Sequence, residues 1–168
     1  GFPETFNIGR TTEASLARFQ EIMPVVELLK VPGMRPSHWK ELSRRMNLPQ
    51  GSELIPTDMS LTLQKLIDIE ATKHEYVISE VSRFAVKEYE VETKLDKMKA
   101  EAKTLRLQFT DVAENSAIRL FGNANELLSV MDHFIAITVQ MRTSPFVGAH
   151  LAAVTEWEML IVRFQATL

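Results

Sequence analysis

Four histidines, His38, His74, His133 and His150, are the residues best suited to hold a metal or to move a proton. Their spacing suits neither task. His74-Glu75 is followed by Tyr76, Val77 and Ile78, so the HExxH pattern that stacks two imidazoles on one helical face is absent. No ExxH pair of the di-iron bundle type occurs. His133 follows Asp132, and neither has a ligand at helical spacing. His150 shares a face with Val147 and Val154, which makes it a packing histidine. With no cysteine, the chain has no disulfide, no thiolate metal site and no cysteine nucleophile. No serine lies in a GxSxG elbow. The nearest approach to a phosphate-binding loop is Gly9-Arg10-Thr11. It has Arg where a Lys must reach the phosphates and Glu4 where the first glycine belongs, so it reads as a loop leading to a helix cap. The expectation is no catalysis, no cofactor and no metal in this chain.

The remaining charged groups read as surface. Lys87 to Lys103 mixes signs along one helix, as a solvated face does. Glu88 differs because it falls on an apolar seam. A buried carboxylate without a partner costs on the order of several kcal/mol, so Glu88 is either paired or placed where the seam meets water. Trp39 and Trp157 each sit on an apolar helical stripe and read as core.

The elements that carry these residues are mostly helical. Gly1 to Arg10, with Pro3 and Gly9, reads as a loop or ragged start. From Thr12 the residues Leu16, Phe19, Ile22, Met23, Val26 and Leu29 form one face of a helix, interrupted by Pro24 and closed by Pro32-Gly33. Pro36 suits the first turn of a short helix through Met46. Asn47 to Thr57 is a surface loop, and Ser60 caps a helix carrying Leu63, Leu66, Ile67 and Ile69. A long helix over about Lys73 to Lys103 follows, with Val77, Val81, Phe84, Val91, Leu95, Met98 and Ala102 at steps of three and four and with Ile78 and Ala85 widening the stripe. Its length is on the order of 45 Å. That predicts an elongated bundle or packing against something outside the chain.

Leu105, Leu107 and Phe109, then Ile118 and Leu120, alternate around the turn-rich Asp111 to Ser116, which predicts a β-hairpin over residues 104–122. Asn123 or Asn125 caps the next helix, broken at Thr143-Ser144-Pro145. The last helix carries Val147, Leu151, Val154, Trp157, Ile161 and Phe164 and shows no stop signal, as in a piece of something larger. The predicted fold class is mainly α: an elongated helical bundle with one long central helix, a small hairpin insert and a closing helical pair, a single fragment over residues 1–168.

Composition narrows the class further. Apolar residues are 45% and charged residues 24%, as in ordinary globular chains. Nineteen Lys and Arg against 22 Asp and Glu give a net charge of −3, which argues against nonspecific nucleic-acid binding. No apolar stretch approaches the roughly 18 residues that span a bilayer, and Gly1 to Arg10 has no signal-peptide pattern. Neither nucleic acid nor membrane is expected as a partner.

Five stretches, in order over about Leu28 to Leu160, resemble the linker region of dynein heavy chains. Met34-Arg35-Pro36-Ser37-His38-Trp39, after Pro32-Gly33, resembles its "PG(L/M)RxRHW". Leu61-Thr62-Leu63-Gln64-Lys65-Leu66 is similar to its "FTLxxL". Ala85-Val86-Lys87-Glu88-Tyr89-Glu90-Val91-Glu92, then Leu95, is similar to its "AxKExxIExxL". Gln140 to Val147 is similar to its "QMxxSPFV", and Glu156-Trp157-Glu158 to its "WE". Ser37 and Ala102 depart from the pattern, Ala102 falling near a position where Trp is expected. The axonemal members are the more similar. The resemblance marks Arg35, His38, Trp39, Glu88, Ser144, Pro145 and Trp157 as family and structural positions.

What the resemblance implies is mechanical. A helical linker would lie on an ATPase ring of the same heavy chain and pass its ATP-driven shape change into movement along microtubules. ATP and Mg would belong to the parent motor and not to this chain. Dynein light and intermediate chains and microtubules would be partners through the complete motor, in the cytoplasm and cytoskeleton of a ciliary or flagellar axoneme. The competing expectation is a free-standing helical adaptor whose apolar groove holds a partner helix.

Overall fold

The computed structural model of the chain describes residues 4–49, 53–54, 61–111 and 119–168. The fold is mainly helical and divides into two compact units, residues 1–87 and 88–168.

In the first unit, helix α1 spans Glu4–Leu29. The predicted loop over the first ten residues is therefore wrong from Glu4 onward. Gly9 lies within the helix, where a glycine costs only about 1 kcal/mol against alanine. The helix also continues through Pro24 as one element. Proline leaves the Gln20 carbonyl without its helical donor. Both residues face solvent, so water can serve that carbonyl. Of the predicted apolar face only Ile22 and Leu29 are buried, with Met23 and Val26 half-buried, and Val25, not expected on that face, is buried beside them. Leu16 and Phe19 are 55% and 44% exposed.

Gly33, at φ 87°, takes the left-handed conformation that the turn after α1 requires. Helix α2, Pro36–Arg45, opens on its proline as predicted and buries His38, Trp39, Leu42 and Ser43. Helix α3, Leu63–Asp68, is capped by Thr62, whose hydroxyl accepts the Lys65 N–H at 3.2 Å. Ser60, the predicted cap, lies outside the described residues. A 3₁₀ turn, Ala71–His74, then leads into α4, Glu75–Thr104. One core cluster gathers residues from all four helices, among them Val25, Leu42, Leu66 and Ile78.

Helix α4 has 30 residues and no Gly or Pro, and the boundary between the units falls within it. Its buried positions are Ile78, Val81, Ser82, Ala85, Glu88, Val91, Leu95 and Met98. The seam is thus centred on Ile78 and Ala85, while Phe84, expected on the stripe, is 40% exposed. Phe84 precedes Ala85 by one residue, a rotation of about 100° around the helix, which carries it off the buried face.

In the second unit, strands β1, Phe109–Asp111, and β2, Arg119–Phe121, pair antiparallel with Phe109 opposite Phe121. The hairpin predicted over residues 104–122 is described only as this ladder, and residues 112–118 lie outside the described residues. Gly122 follows β2, where a Cβ would fall 2.5 Å from the Thr110 hydroxyl, so that any side chain there requires the hydroxyl to move.

Helix α5, Ala124–Arg142, buries Leu127, Met131, Phe134, Thr138 and Met141. A 3₁₀ turn, Gly148–His150, leads to α6, Leu151–Gln165, which buries Val154, Trp157 and Ile161. Leu151, expected on that stripe, is 46% exposed, and His150 takes the inward position. These helices share a second core cluster with Val91, Leu95 and Met98 of α4. Among the described residues no helix is long and apolar enough to cross a membrane.

Candidate functional site

The residues singled out by pattern fall into both units, and each group is built by hydrogen bonds and packing. Arg35 precedes α2 in an extended conformation, and its backbone N–H donates to Nδ1 of His38 at 3.0 Å. That acceptor role makes His38 part of the helix start, satisfying a donor that the helix itself leaves free. It also fixes the proton of a neutral ring on Nε2. The His38 ring lies 6.4 Å from that of Phe84 at a tilted angle. Trp39 is buried in the same turn, and its carbonyl accepts the Ser43 hydroxyl at 2.9 Å. The same hydroxyl accepts the N–H of Leu54 at 2.9 Å, so one buried oxygen joins α2 to the segment before α3. Arg45 reaches Glu80 of α4 at 2.6 Å. At the surface of α2, the hydrogen bond from Arg44 holds the Glu41 carboxyl below its ordinary range and raises Arg44.

In the second unit Glu88 is buried, beside the turn that begins at Gly148, where a Cβ would lie 4.0 Å from its carboxylate. Ser144 and Pro145 end α5. The Ser144 hydroxyl accepts the Phe146 N–H at 3.3 Å, and its own N–H donates to the Met141 carbonyl at 3.1 Å. Arg142, just before this break, pairs with Glu158 at 2.8 Å, which ties the end of α5 to α6. Trp157 packs on Phe134 with ring centres 6.0 Å apart, and its indole N–H is buried without an acceptor.

Among the described residues no three His, Cys, Asp or Glu side chains gather as a metal site would require. The five sequence stretches meet within their own units as packing: Trp39 with Leu63 and Leu66 in the first, and Val91, Leu95, Met141, Val147 and Trp157 in the second. Two contacts carried no sequence signal, the Ser43 bridge and the Arg45–Glu80 pair. Asn123, expected to cap α5, stands at the N-cap position, but its side chain makes no capping hydrogen bond there. That side chain donates to the Arg106 carbonyl at 2.9 Å and accepts the Gln108 N–H at 3.0 Å, holding the approach to β1 against the start of α5. The second unit also carries two apolar troughs, of about 520 and 450 Å³, that share Ala102, Trp157 and Leu160.

The profile of the family described as "Dynein heavy chain, N-terminal region 2" matches residues 3–168. The human dynein axonemal heavy chain 1 is 26% identical over 156 residues, which is 93% of this chain and 4% of that protein. Its rat counterpart is 25% identical over 166 residues, 99% of this chain and 4% of its own length. The Chlamydomonas reinhardtii dynein-1-beta heavy chain of the flagellar inner arm I1 complex is 25% identical over 154 residues, 92% of this chain and 3% of its own. This chain therefore spans only a few hundredths of the relatives it matches. No solved structure matches. A match over residues 3–168, nearly the whole chain, places it in the dynein heavy chain N-terminal region 2 family.

Proposed function

We propose that this chain is a force-transmitting segment of a dynein motor, the linker part of a heavy chain. The segment performs no catalysis. An ATPase ring elsewhere in the same heavy chain binds ATP and Mg, and its shape change passes through these helices into movement along microtubules. Light and intermediate chains are partners of the complete motor, and the setting is a ciliary or flagellar axoneme, as the names of the relatives suggest.

The observation that carries this reading is α4. A segment that passes on displacement must resist bending, and a helix bends sharply only where its hydrogen-bond ladder is broken. Helix α4 runs 30 residues without Gly or Pro and supplies buried side chains to each core, Ile78 and Val81 to one and Val91, Leu95 and Met98 to the other. Packed cores are close-packed solids that yield little.

The test is a complete heavy chain carrying Arg83→Pro at an exposed position of α4. Microtubule gliding should be lost while ATP turnover persists. Gliding at the parent speed would show that α4 transmits nothing.

A further inference from the structure

In the second unit the end of α4 and one edge of α6 border the two troughs that meet at Ala102, Trp157 and Leu160. Their floors are apolar, and Leu160 stands 60% exposed at the ridge between them. The rim carries an excess of one sign: Lys99, Lys103 and Arg163 against Glu156. None of these three cations has a side-chain partner among the described residues.

We propose that this double trough docks an amphipathic helix with an apolar stripe over Trp157 and Leu160 and carboxylates along its flanks. Two apolar hollows side by side suit a helix because residues one turn apart project in the same direction and fill successive hollows. The acidic flanks follow from the three unpaired cations. Opposite charges at a rim guide the partner in and fix its register, while a basic helix in the same trough meets repulsion. The orphan indole N–H of Trp157 marks the shared wall as packed but incompletely satisfied. The site stands independently of the linker reading, since it rests on the troughs and their rim alone.

The test uses the whole 168-residue chain and a fluorescent synthetic helix of about 18 residues, long enough to be helical when bound. Its leucines follow helical spacing and its flanks are glutamate. A twin carries lysine on the flanks. Anisotropy titrations should show the acidic helix binding at least about tenfold tighter than its twin, with the preference shrinking as salt is raised. Lys103→Glu combined with Arg163→Glu should reverse the preference. Leu160→Asp removes the exposed apolar ridge, and Ala102→Trp fills the hollow beside it. Each should weaken the acidic helix at least about tenfold, with the melting curve retained as a check on folding. Equal binding of the two helices, no binding of the acidic one, or parent-like binding by both trough variants would each overturn the proposal.

Discussion

At Ser43 a single buried hydroxyl serves two backbone groups, the Trp39 carbonyl and the Leu54 N–H. Ser43→Ala leaves that N–H buried without an acceptor, and the expected loss is about 1–3 kcal/mol in a urea titration. Replacement by cysteine, which keeps a weak donor and acceptor, should cost less. Trp157 is held by packing. Trp157→Ala opens a cavity against Phe134 and should cost roughly 3–5 kcal/mol. An unchanged melting temperature for that variant would show that the ring is not core. These two residues mark what single positions reveal in sequence. Large apolar residues announce themselves, and both tryptophans are buried where the stripes place them. A small polar residue whose partner lies eleven positions away, as Leu54 does from Ser43, has no local signature. Exposed apolar residues mislead in the other direction. Leu16, Phe19, Phe84 and Leu151 fit a three-and-four spacing, but helical spacing defines an arc and not which part of it meets a neighbour.

At the scale of elements, periodicity located α2, α3, α4, α5 and α6 to within a few residues, because each combines an amphipathic run with a Pro, Gly or capping residue nearby. It failed at the start of α1, where Pro3 and Gly9 read as a loop although the chain is helical from Glu4, and at the cap of α3. Lys94 offers a direct test of α4, since it is exposed in mid-helix. Lys94→Ala should leave stability nearly unchanged, whereas Lys94→Pro removes a ladder hydrogen bond and should cost about 3 kcal/mol or more. Circular dichroism during denaturation separates the two outcomes. Asn123→Ala should act locally. It frees the Arg106 carbonyl and the Gln108 N–H, so amide exchange should rise near β1 while the global transition hardly moves.

At the scale of the molecule, the division at Lys87 and Glu88 was not legible, because the apolar pattern of α4 runs across it without a break. That continuity carries its own expectation. With buried side chains of one helix in each core, opening either unit strips α4 of half its packing, so the two should unfold as one cooperative transition. Separate midpoints in urea would show instead that the units are independently stable. The family membership was legible from five short stretches, and the reason is physical: those stretches are core-forming or helix-ending segments, where packing restricts the choice of residue.

The tryptophans are divided one to each unit, Trp39 in the first and Trp157 in the second. Changing either to phenylalanine leaves a lone indole whose emission belongs to one half of the chain. Acrylamide quenching of that remaining fluorophore would then report local breathing near α2 or near α6 separately, with no dye attached, and would show which half loosens first when a load or a docked helix is applied.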